Sequence, residues 1–276
     1  MNRGTTTIIA HIGDPIAPVK SPMIYNPYFE SAGIDAVVVP MGVKSADYPD
    51  VLRAVFRFTN IRGALITMPH KVTTVGLLDE VSVAVKIAQS CNAVLRRADG
   101  SLLGDLFDGA GFVRGLERNG FEVRGGRCLV VGTGGVGSAI AAALAAAGAA
   151  ALSLYDSNPT GAAGLAGRLR QHHPRLEVAT GTKDPTGFDL AVNATPLGMN
   201  ADDPLPFDAS RLAPTTFVGE VVMKQEVTPL LRAARAKGCR TQAGTEMLFE
   251  QIPLYLDFFG FGKVTADELR AVAALA

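Results

Sequence analysis

A glycine-rich segment near the middle of the chain constrains the fold more than any other feature. The segment RCLVVGTGGVGSAIAAALAAAG carries the spacing G-x-G-x-x-G at Gly132, Gly134 and Gly137, with Gly135 and Val136 between the last two glycines. An apolar run typical of a buried strand precedes it, and a run of helical spacing follows. Glycines allow a tight turn and a close backbone approach to a pyrophosphate, which the free N–H groups of a helix N-terminus can bind. The segment therefore predicts a dinucleotide site; the alternative is a tight turn without a ligand.

The end of the next predicted strand indicates which dinucleotide would bind. The strand ALSLY ends at Asp156, and no arginine follows until Arg168. A carboxylate in this place can accept hydrogen bonds from the ribose hydroxyls and would repel a 2'-phosphate. We therefore predict NAD rather than NADP as the cofactor. The alternative for Asp156 is an N-cap of the helix that follows.

Short apolar runs alternate with stretches of helical spacing on both sides of the glycine-rich segment, which predicts an α/β protein of two lobes. In the first half, TTIIAHI, DAVVVP and GALIT read as strands, SPMIYNPYFESAG, DYPDVLRAVFRF and DEVSVAVKIA as helices, and CNAVLRRADGSLLG as a hairpin about Asp99 and Gly100. The second half predicts helices over 136–147 and 161–171, further strands near LEVAT, FDLAVNA and TTFVGEVV, and a capping box from Thr265 to Glu268. The second series is typical of a Rossmann-type nucleotide-binding lobe.

Composition excludes several classes of function. Lys and Arg number 26, as do Asp and Glu, so no basic surface for nucleic acid is expected. Three scattered cysteines without a CxxC motif predict neither disulfides nor a metal site. The apolar segment 139–152 is too short for a membrane span, and the N-terminal apolar run is too short for a secretory signal. We expect a cytoplasmic protein that acts on a small molecule, with the oligomeric state left open, a homo-oligomer included.

A lysine follows the apolar run of the segment LITMPHK directly, at Lys71. Open α/β sheets bind their ligands at the carboxyl ends of strands, although a solvated surface lysine is the alternative. Other polar residues stand at predicted strand ends or in loops: Asn92, Asp108 and Gln251. A partly dry lysine paired with a carboxylate can exchange a proton with an alcohol during hydride transfer.

The chain resembles the shikimate dehydrogenase family over almost its whole length. The motifs that carry the resemblance stand in the family's order: GDPIAPVKSP, ITMPHK, SCNAVL, GDLFDGAGF, the glycine-rich segment, NATPLGM, TPLL and AGTEMLFEQ. The resemblance implies an N-terminal α/β substrate-binding lobe with a mostly parallel sheet over residues 1–108 and a Rossmann-type lobe over 109–244. It also implies that the C-terminal helices, 245–276, return to the first lobe.

The resemblance assigns a role to each matching residue. Lys71 and Asp108 match the catalytic pair, and no metal is implied. The other matches are Asn92 and Gln251 for the ring hydroxyls, Ser21 and Thr67 for the substrate pocket, Asn193 for the cofactor loop, and Gly244 and Met247 beside the nicotinamide. Without the resemblance, Ser21 would be read as a helix N-cap, Thr67 as a strand-end hydroxyl and Met247 as core.

Several positions depart from the family pattern. Val19 and Met223 stand where the family usually has a serine and a tyrosine that grip the substrate carboxylate, and Leu65 replaces an asparagine. Lys20 and Lys224 are candidate substitutes. Together with Asp156 these changes resemble an NAD-using branch linked to aminoshikimate or other secondary metabolism.

We therefore predict an NAD-dependent oxidoreductase that interconverts shikimate, or a close cyclic hydroxy-acid analogue, and its 3-dehydro ketone, with weak activity on shikimate itself. The alternatives are a quinate-type or aminoshikimate-type dehydrogenase and a catalytically idle NAD-binding module.

Overall fold

A computed structural model describes residues 3–200 and 202–274 of the chain. The chain forms two compact units, the first of Met1–Val85, Gln89–Phe107 and Ile252–Ala276 and the second of Lys86–Ala88 and Asp108–Gln251. The prediction placed Asp108 in the first lobe and began the return at residue 245. In the structure Asp108 belongs to the second unit, and the return begins at Ile252.

The helices and strands follow one another in an alternating order. Up to residue 105 they are β1 (Thr7–Gly13), α1 (Pro22–Ser31), β2 (Ala36–Gly42), α2 (Tyr48–Val55), β3 (Ile61–Ile66), α3 (Lys71–Val75), β4 (Glu80–Val81), α4 (Val83–Ala88), β5 (Ala93–Arg96) and β6 (Leu102–Asp105). Beyond it they are α5 (Asp108–Arg118), β7 (Arg127–Val131), α6 (Gly135–Ala146), β8 (Ala151–Tyr155), α7 (Pro159–His172), β9 (Glu177–Thr180), β10 (Leu190–Asn193), a 3-10 turn (Ala209–Arg211), β11 (Phe217–Glu220), α8 (Pro229–Ala236), β12 (Thr241–Gln242), α9 (Gly244–Phe258) and α10 (Ala266–Val272).

The first unit is built on a six-stranded mixed sheet in the order β2-β1-β3-β5-β6-β4. β1 runs parallel to β2 and β3, so their carboxyl ends meet at one edge. β5 and β6 form the predicted antiparallel hairpin, with Gly100 at φ +89° in its turn, a conformation that glycine adopts without steric cost. The prediction of one helix over DEVSVAVKIA was wrong at its start. Ser82 caps α4, and the residues before it form the edge strand β4 beside β6.

The C-terminal residues pack against the first sheet. The missing side chain of Gly63 leaves room for Phe259, whose ring would lie 2.4 Å from a Cβ there, and Arg62 Nε donates to Phe259 O at 2.9 Å. α10 begins with the predicted capping box, in which the Thr265 hydroxyl accepts from the Glu268 N–H and the Glu268 carboxylate accepts from the Thr265 N–H. Local capping and non-local packing together hold this segment in place.

The second unit is a six-stranded sheet in the order β12-β11-β10-β7-β8-β9, and every neighbouring pair is parallel. α5 packs closely on α6. The absence of a side chain at Gly109 allows this approach, since a Cβ there would lie 2.0 Å from Ala139 O. α7 begins at Pro159 rather than at the predicted residue 161, since Asn158 is its cap and proline suits the first turn. Both sheets confirm the predicted α/β fold with a Rossmann-type lobe.

Within residues 3–200 and 202–274, no helix has the length and apolar character to cross a bilayer. Cys91, Cys128 and Cys239 are free and buried.

Candidate active site

Lys71 is the first residue of α3, and the segment that leads to it from β3 is firmly held. Thr67 N–H donates to Ile12 O at 2.9 Å. His70 is 1% exposed, stacks on the Tyr48 ring with 3.9 Å between ring centroids, and donates from Nε2 to Val43 O at 2.9 Å. Because His70 precedes Lys71 directly, this anchor fixes the backbone from which the half-buried lysine side chain extends.

Asn92 lies beside this segment. Its carbonyl oxygen accepts from Ile66 N–H at 2.9 Å, and the preceding residue, Cys91, donates its N–H to Lys71 O at 2.9 Å. The Asn92 side chain is 1% exposed, and its Oδ1 accepts from Phe107 N–H at 3.0 Å. Its Nδ2 is buried and has no hydrogen-bond partner among the described residues. Buried donors are almost always paired in proteins, so Asn92 could bind an oxygen of a ligand. Its predicted role at the ring hydroxyls stays a prediction.

Ser21 contacts a residue that the sequence did not single out, His11 of β1. The Ser21 hydroxyl is hydrogen-bonded to His11 Nδ1, and it does not cap α1. The alternative of Ser21 as a helix N-cap is therefore wrong for its side chain. Burial, followed by the positive charge of Lys71, lowers the pKa of His11 to about 4. His11 is thus neutral near pH 7. The only sequence signal was a lone histidine within the apolar run TTIIAHI.

The first unit therefore brings four predicted residues together at the ends of β1 and β3 and the start of β5, and it adds a fifth. The predicted residues are Ser21, Thr67, Lys71 and Asn92, and the added one is His11. The neighbouring Val19, where the family pattern has a serine, is half-buried.

The glycine loop has the shape that the motif predicts. Gly132 has φ +100° and donates its N–H to Tyr155 O at 2.7 Å. A Cβ at Gly137 would lie 1.9 Å from Gly132 O, so the helix can approach the strand only with glycine there. At Gly134 a Cβ would meet nothing within 4 Å, and this residue and Gly135 are exposed.

No side chain caps the N-terminus of α6 at Gly134, whereas Val136 packs against the core of the unit. The open space and the uncapped N–H groups fit a dinucleotide pyrophosphate.

Asp156 binds the glycine loop. Its Oδ2 accepts from the Thr133 N–H at 2.6 Å and from the Thr133 hydroxyl at 2.9 Å, and its Oδ1 accepts from Asn158 N–H at 2.9 Å. Burial alone would raise the pKa of Asp156, but the hydrogen bonds from Asn158 and Thr133 outweigh it and lower that pKa. Asn158, not Asp156, caps α7. The N-cap alternative for Asp156 is therefore wrong.

Arg168 of α7 and Lys183, after β9, are two of the cationic residues that follow β8. Arg168 Nε donates to Ile87 O at 2.5 Å, so its guanidinium is engaged within the second unit. Lys183 Nζ lies 5.6 Å from the centroid of the Tyr155 ring. The segment between Asp156 and Arg168 contains no lysine or arginine.

Asn193 organises the loop after β10. It is completely buried; its Nδ2 donates to Leu197 O at 2.9 Å and to Glu220 at 3.0 Å, and its Oδ1 accepts from the Thr195 N–H at 3.0 Å. The Glu220 carboxylate also accepts from the Thr228 hydroxyl at 3.0 Å, and burial raises the pKa of Glu220. Asn193 therefore shapes this loop from within, and its predicted place at the cofactor loop stays a prediction.

The remaining predicted residues lie on α5 and α9. Asp108 is the first residue of α5 and is 6% exposed. A Cβ at Gly111 would lie 2.6 Å from Gln251 Cβ, so α5 and α9 approach closely, and the buried Oε1 of Gln251 has no hydrogen-bond partner within the described part of the chain. Met247 is 4% exposed and belongs to the core of the unit, which agrees with its alternative interpretation as a core residue.

Gly244 allows another close approach in the second unit. A Cβ there would lie 2.5 Å from Val222 O, so the start of α9 approaches the segment after β11 closely. Met223, in that segment, is 50% exposed. It offers no hydroxyl where the family pattern has a tyrosine.

Over the described ranges of the chain, no group of three or more His, Cys, Asp or Glu residues could hold a metal ion.

Comparisons with known proteins show which family this chain is similar to. The model of the shikimate dehydrogenase substrate binding domain matches residues 11–94. The shikimate dehydrogenase (NADP(+)) of Rubrobacter xylanophilus is 37% identical over 252 residues, which are 90% of this chain and 88% of that protein.

Two solved structures have the same fold. Shikimate 5-dehydrogenase from Listeria monocytogenes, in complex with shikimate and NAD, has a TM-score of 0.92 and 26% identity, covering 98% of this chain and 97% of that chain. The ligand-free 5-ketofructose reductase of Gluconobacter sp. strain CHM43 has a TM-score of 0.89 and 25% identity, covering 98% and 99%.

Proposed function

Because this chain belongs to the shikimate dehydrogenase family, we propose that it interconverts shikimate or a close cyclic analogue and the corresponding 3-dehydro ketone. The cluster in the first unit carries the proposal. There the half-buried Lys71 adjoins Asn92, whose buried amide donor has no partner among the described residues. An idle binding module would have no reason to keep such a donor unpaired, since an unpaired buried donor costs about 1–3 kcal/mol.

The residues of this chain would handle the substrate and its proton. Lys71 accepts the hydroxyl proton during oxidation and returns it during reduction. Asp108, which is nearly buried at the start of α5, matches the family's catalytic aspartate and would act on the reacting hydroxyl. Asn92 and Gln251, each with a buried amide atom that has no partner in the described part of the chain, would bind ring hydroxyls, and Thr67 would line the pocket.

The protein would use a nicotinamide dinucleotide, whose nicotinamide ring, when bound, supplies hydride acceptance and donation. The exposed glycines of the loop and the uncapped N-terminus of α6 would bind the pyrophosphate. Asp156 would bind the adenosine ribose.

We propose NAD as the preferred dinucleotide. Hydrogen bonds keep the Asp156 carboxylate ionised at the end of β8, and no lysine or arginine follows it before Arg168. A 2'-phosphate would meet this negative charge without a cation from the same loop. The name of the Rubrobacter relative gives NADP(+), so the preference rests on this chain's own residues.

A second candidate function is the reduction or oxidation of an uncharged polyol or ketose. The fold neighbour from Gluconobacter is named a 5-ketofructose reductase, and a ketose carries no carboxylate. Val19 and Met223 offer no hydrogen-bond donor from their side chains, so activity on shikimate itself would be weak.

A substrate screen with a lysine variant tests the proposed function. NADH formation from NAD is followed with shikimate, quinate and uncharged cyclic polyols, with NADP in parallel. The Lys71→Ala protein should lose about 10²-fold or more in kcat with NAD binding nearly unchanged, because general acid–base groups contribute about that much. Lys237→Ala, which removes an exposed lysine at the end of α8, is the matched control. Near-normal turnover by the Lys71 variant would remove this residue from the mechanism.

A further inference from the structure

His11 lies beside the segment that leads to Lys71, and none of the motifs that carry the resemblance includes it. It lies on β1 in register with Leu65 of β3 and Pro40 of β2. The residue after it, Ile12, accepts the N–H of Thr67 through its carbonyl oxygen. His11 is therefore one strand position away from the loop that carries Lys71.

One ring nitrogen of His11 is held and the other is open. Nδ1 is hydrogen-bonded to the Ser21 hydroxyl, which fixes the orientation of the ring. Nε2 has no hydrogen-bond partner among residues 3–200 and 202–274 and is not one of their buried unpaired polar atoms. Because His11 is half-buried, Nε2 is a polar atom that a ligand can reach.

The charge state of His11 restricts what Nε2 can bind. Burial and the nearby Lys71 keep the ring neutral near pH 7. A neutral imidazole has one donor and one acceptor nitrogen, with the proton on either. A hydroxyl can donate to Nε2 or accept from it, and an ester oxygen can accept from it, in both cases without a charge to desolvate. A carboxylate carries a charge that would lose much of its hydration at this half-buried position.

We propose that His11 is a specificity-determining residue whose Nε2 hydrogen-bonds an uncharged oxygen of the substrate, with Ser21 holding the ring in place. The proposal rests on the proposed function and names its substrate class. The substrate is a polyhydroxylated ring or chain that presents a hydroxyl or ester, rather than a carboxylate, to this part of the pocket.

A matched pair of variants separates the role of Nε2 from that of Nδ1. The amide nitrogen of asparagine stands near the place of Nδ1, and that of glutamine near the place of Nε2. His11→Asn therefore keeps the contact to Ser21 and loses the open polar atom, whereas His11→Gln keeps a polar atom near Nε2. If His11 acted only by holding Ser21, the glutamine variant would bind the ligand more weakly than the asparagine variant.

The experiment measures the binding of shikimate and of its methyl ester to the full chain by calorimetry, in the presence of NADH so that the alcohol does not react. The wild type should bind the ester at least as tightly as the acid. His11→Asn should weaken ester binding about 10-fold, which is the size of one lost hydrogen bond, and His11→Gln should stay within about 3-fold of the wild type. His172→Asn, in the second unit, is the histidine control.

Two results would overturn the proposal. One is a preference of the wild type for the acid by 10-fold or more, and the other is equal ester binding by the asparagine and glutamine variants. A wild type that binds neither compound would overturn it as well. Turnover is measured separately: the expected binding pattern without any NADH formation from NAD would refute the proposed function alone, and normal turnover with the wrong binding pattern would refute only this inference.

Discussion

At the scale of single residues, Asp156 has two proposed roles, and different substitutions can separate them. Its carboxylate binds the backbone of the glycine loop at Thr133, and its negative charge lies where a ribose hydroxyl or a 2'-phosphate would come. A substitution that keeps one acceptor oxygen but removes the charge should leave the loop largely intact. Asparagine is such a substitution, and alanine removes both.

We predict that Asp156→Asn lowers the ratio of kcat/KM for NAD to that for NADP by roughly 10-fold, because the repulsion of a nearby phosphate disappears. Asp156→Ala should lower the ratio similarly and should also weaken the binding of both NAD and NADP. Steady-state rates with each dinucleotide at equal concentration provide the measurement. Asp184→Asn, which removes a carboxylate paired with Arg211 on the same unit, should leave the ratio unchanged. An unaltered ratio in the Asp156 variants would show that another feature selects the cofactor.

Residue by residue, the sequence was informative where chemistry is local to a motif. The resemblance assigned Lys71 and Asn92 to one substrate site before any coordinates, and the structure places their backbone segments side by side. His11 could not be found this way, because its contact to Ser21 spans ten residues and depends on how the segment after β1 folds back. The N-cap alternatives for Ser21 and Asp156 failed for a related reason: both side chains bond to partners other than the helix they precede.

At the scale of elements, the contact between β7, the glycine loop and α6 joins stability and cofactor binding in one short segment. Gly137 lets α6 approach the backbone of Gly132, whereas Gly134 has open space around it. The two positions should therefore respond differently to the same added methyl group.

We predict that Gly137→Ala lowers the free energy of unfolding by about 1–3 kcal/mol or prevents folding, because the added Cβ would overlap Gly132 O. Gly134→Ala should leave stability within about 0.5 kcal/mol and weaken NAD binding, since its methyl group enters the space that fits the pyrophosphate. Gly167→Ala, in an open position of α7, should stabilise the protein slightly. Urea unfolding and a fluorescence titration with NADH provide both readouts. Equal effects at 134 and 137 would contradict this description of the loop.

Most of these elements could be predicted from the sequence, because hydrophobic periodicity and capping or turn residues are local signals. Helix starts shifted by one or two residues where a cap decides them, as at Asn158 before α7. The error at β4 has a non-local cause: two residues read as helical pair with Leu103 and Gly104 of β6 instead. Periodicity in so short a stretch could not distinguish the two outcomes.

At the scale of the whole molecule, the C-terminal residues contribute to the first unit although the second unit precedes them in the chain. Ala274 N–H donates to Met23 O at 2.8 Å, and Leu269 of α10 is completely buried. The capping box of α10 was visible in the sequence. The sheet against which α10 packs could not be predicted from local sequence, because no local signal encodes it. Only the resemblance implied that this helix returns to the first lobe.

We predict that Leu269→Ala lowers the free energy of unfolding by about 2–5 kcal/mol, the usual cost of a cavity at a buried leucine. The affinity for NADH should be unchanged at low temperature, because the glycine loop and Asp156 belong to the second unit. Lys263→Ala, at an exposed position just before α10, should change neither quantity. A large loss of NADH affinity in the folded Leu269 variant would contradict the assignment of cofactor binding to the second unit alone.

The central claim is that this protein moves a hydride between a ring carbinol carbon and a nicotinamide dinucleotide. The most direct test uses shikimate, or the best substrate of the screen, labelled with deuterium at the carbinol carbon that is oxidised, together with unlabelled NAD and the wild-type protein. We predict NADH that carries one deuterium at C4 of the nicotinamide, seen as a mass increase of about one unit, and a matching keto product. The Lys71→Ala protein should produce both at least about 10²-fold more slowly. Formation of NADH without deuterium, or no NADH from any cyclic alcohol in the screen, would contradict the claim.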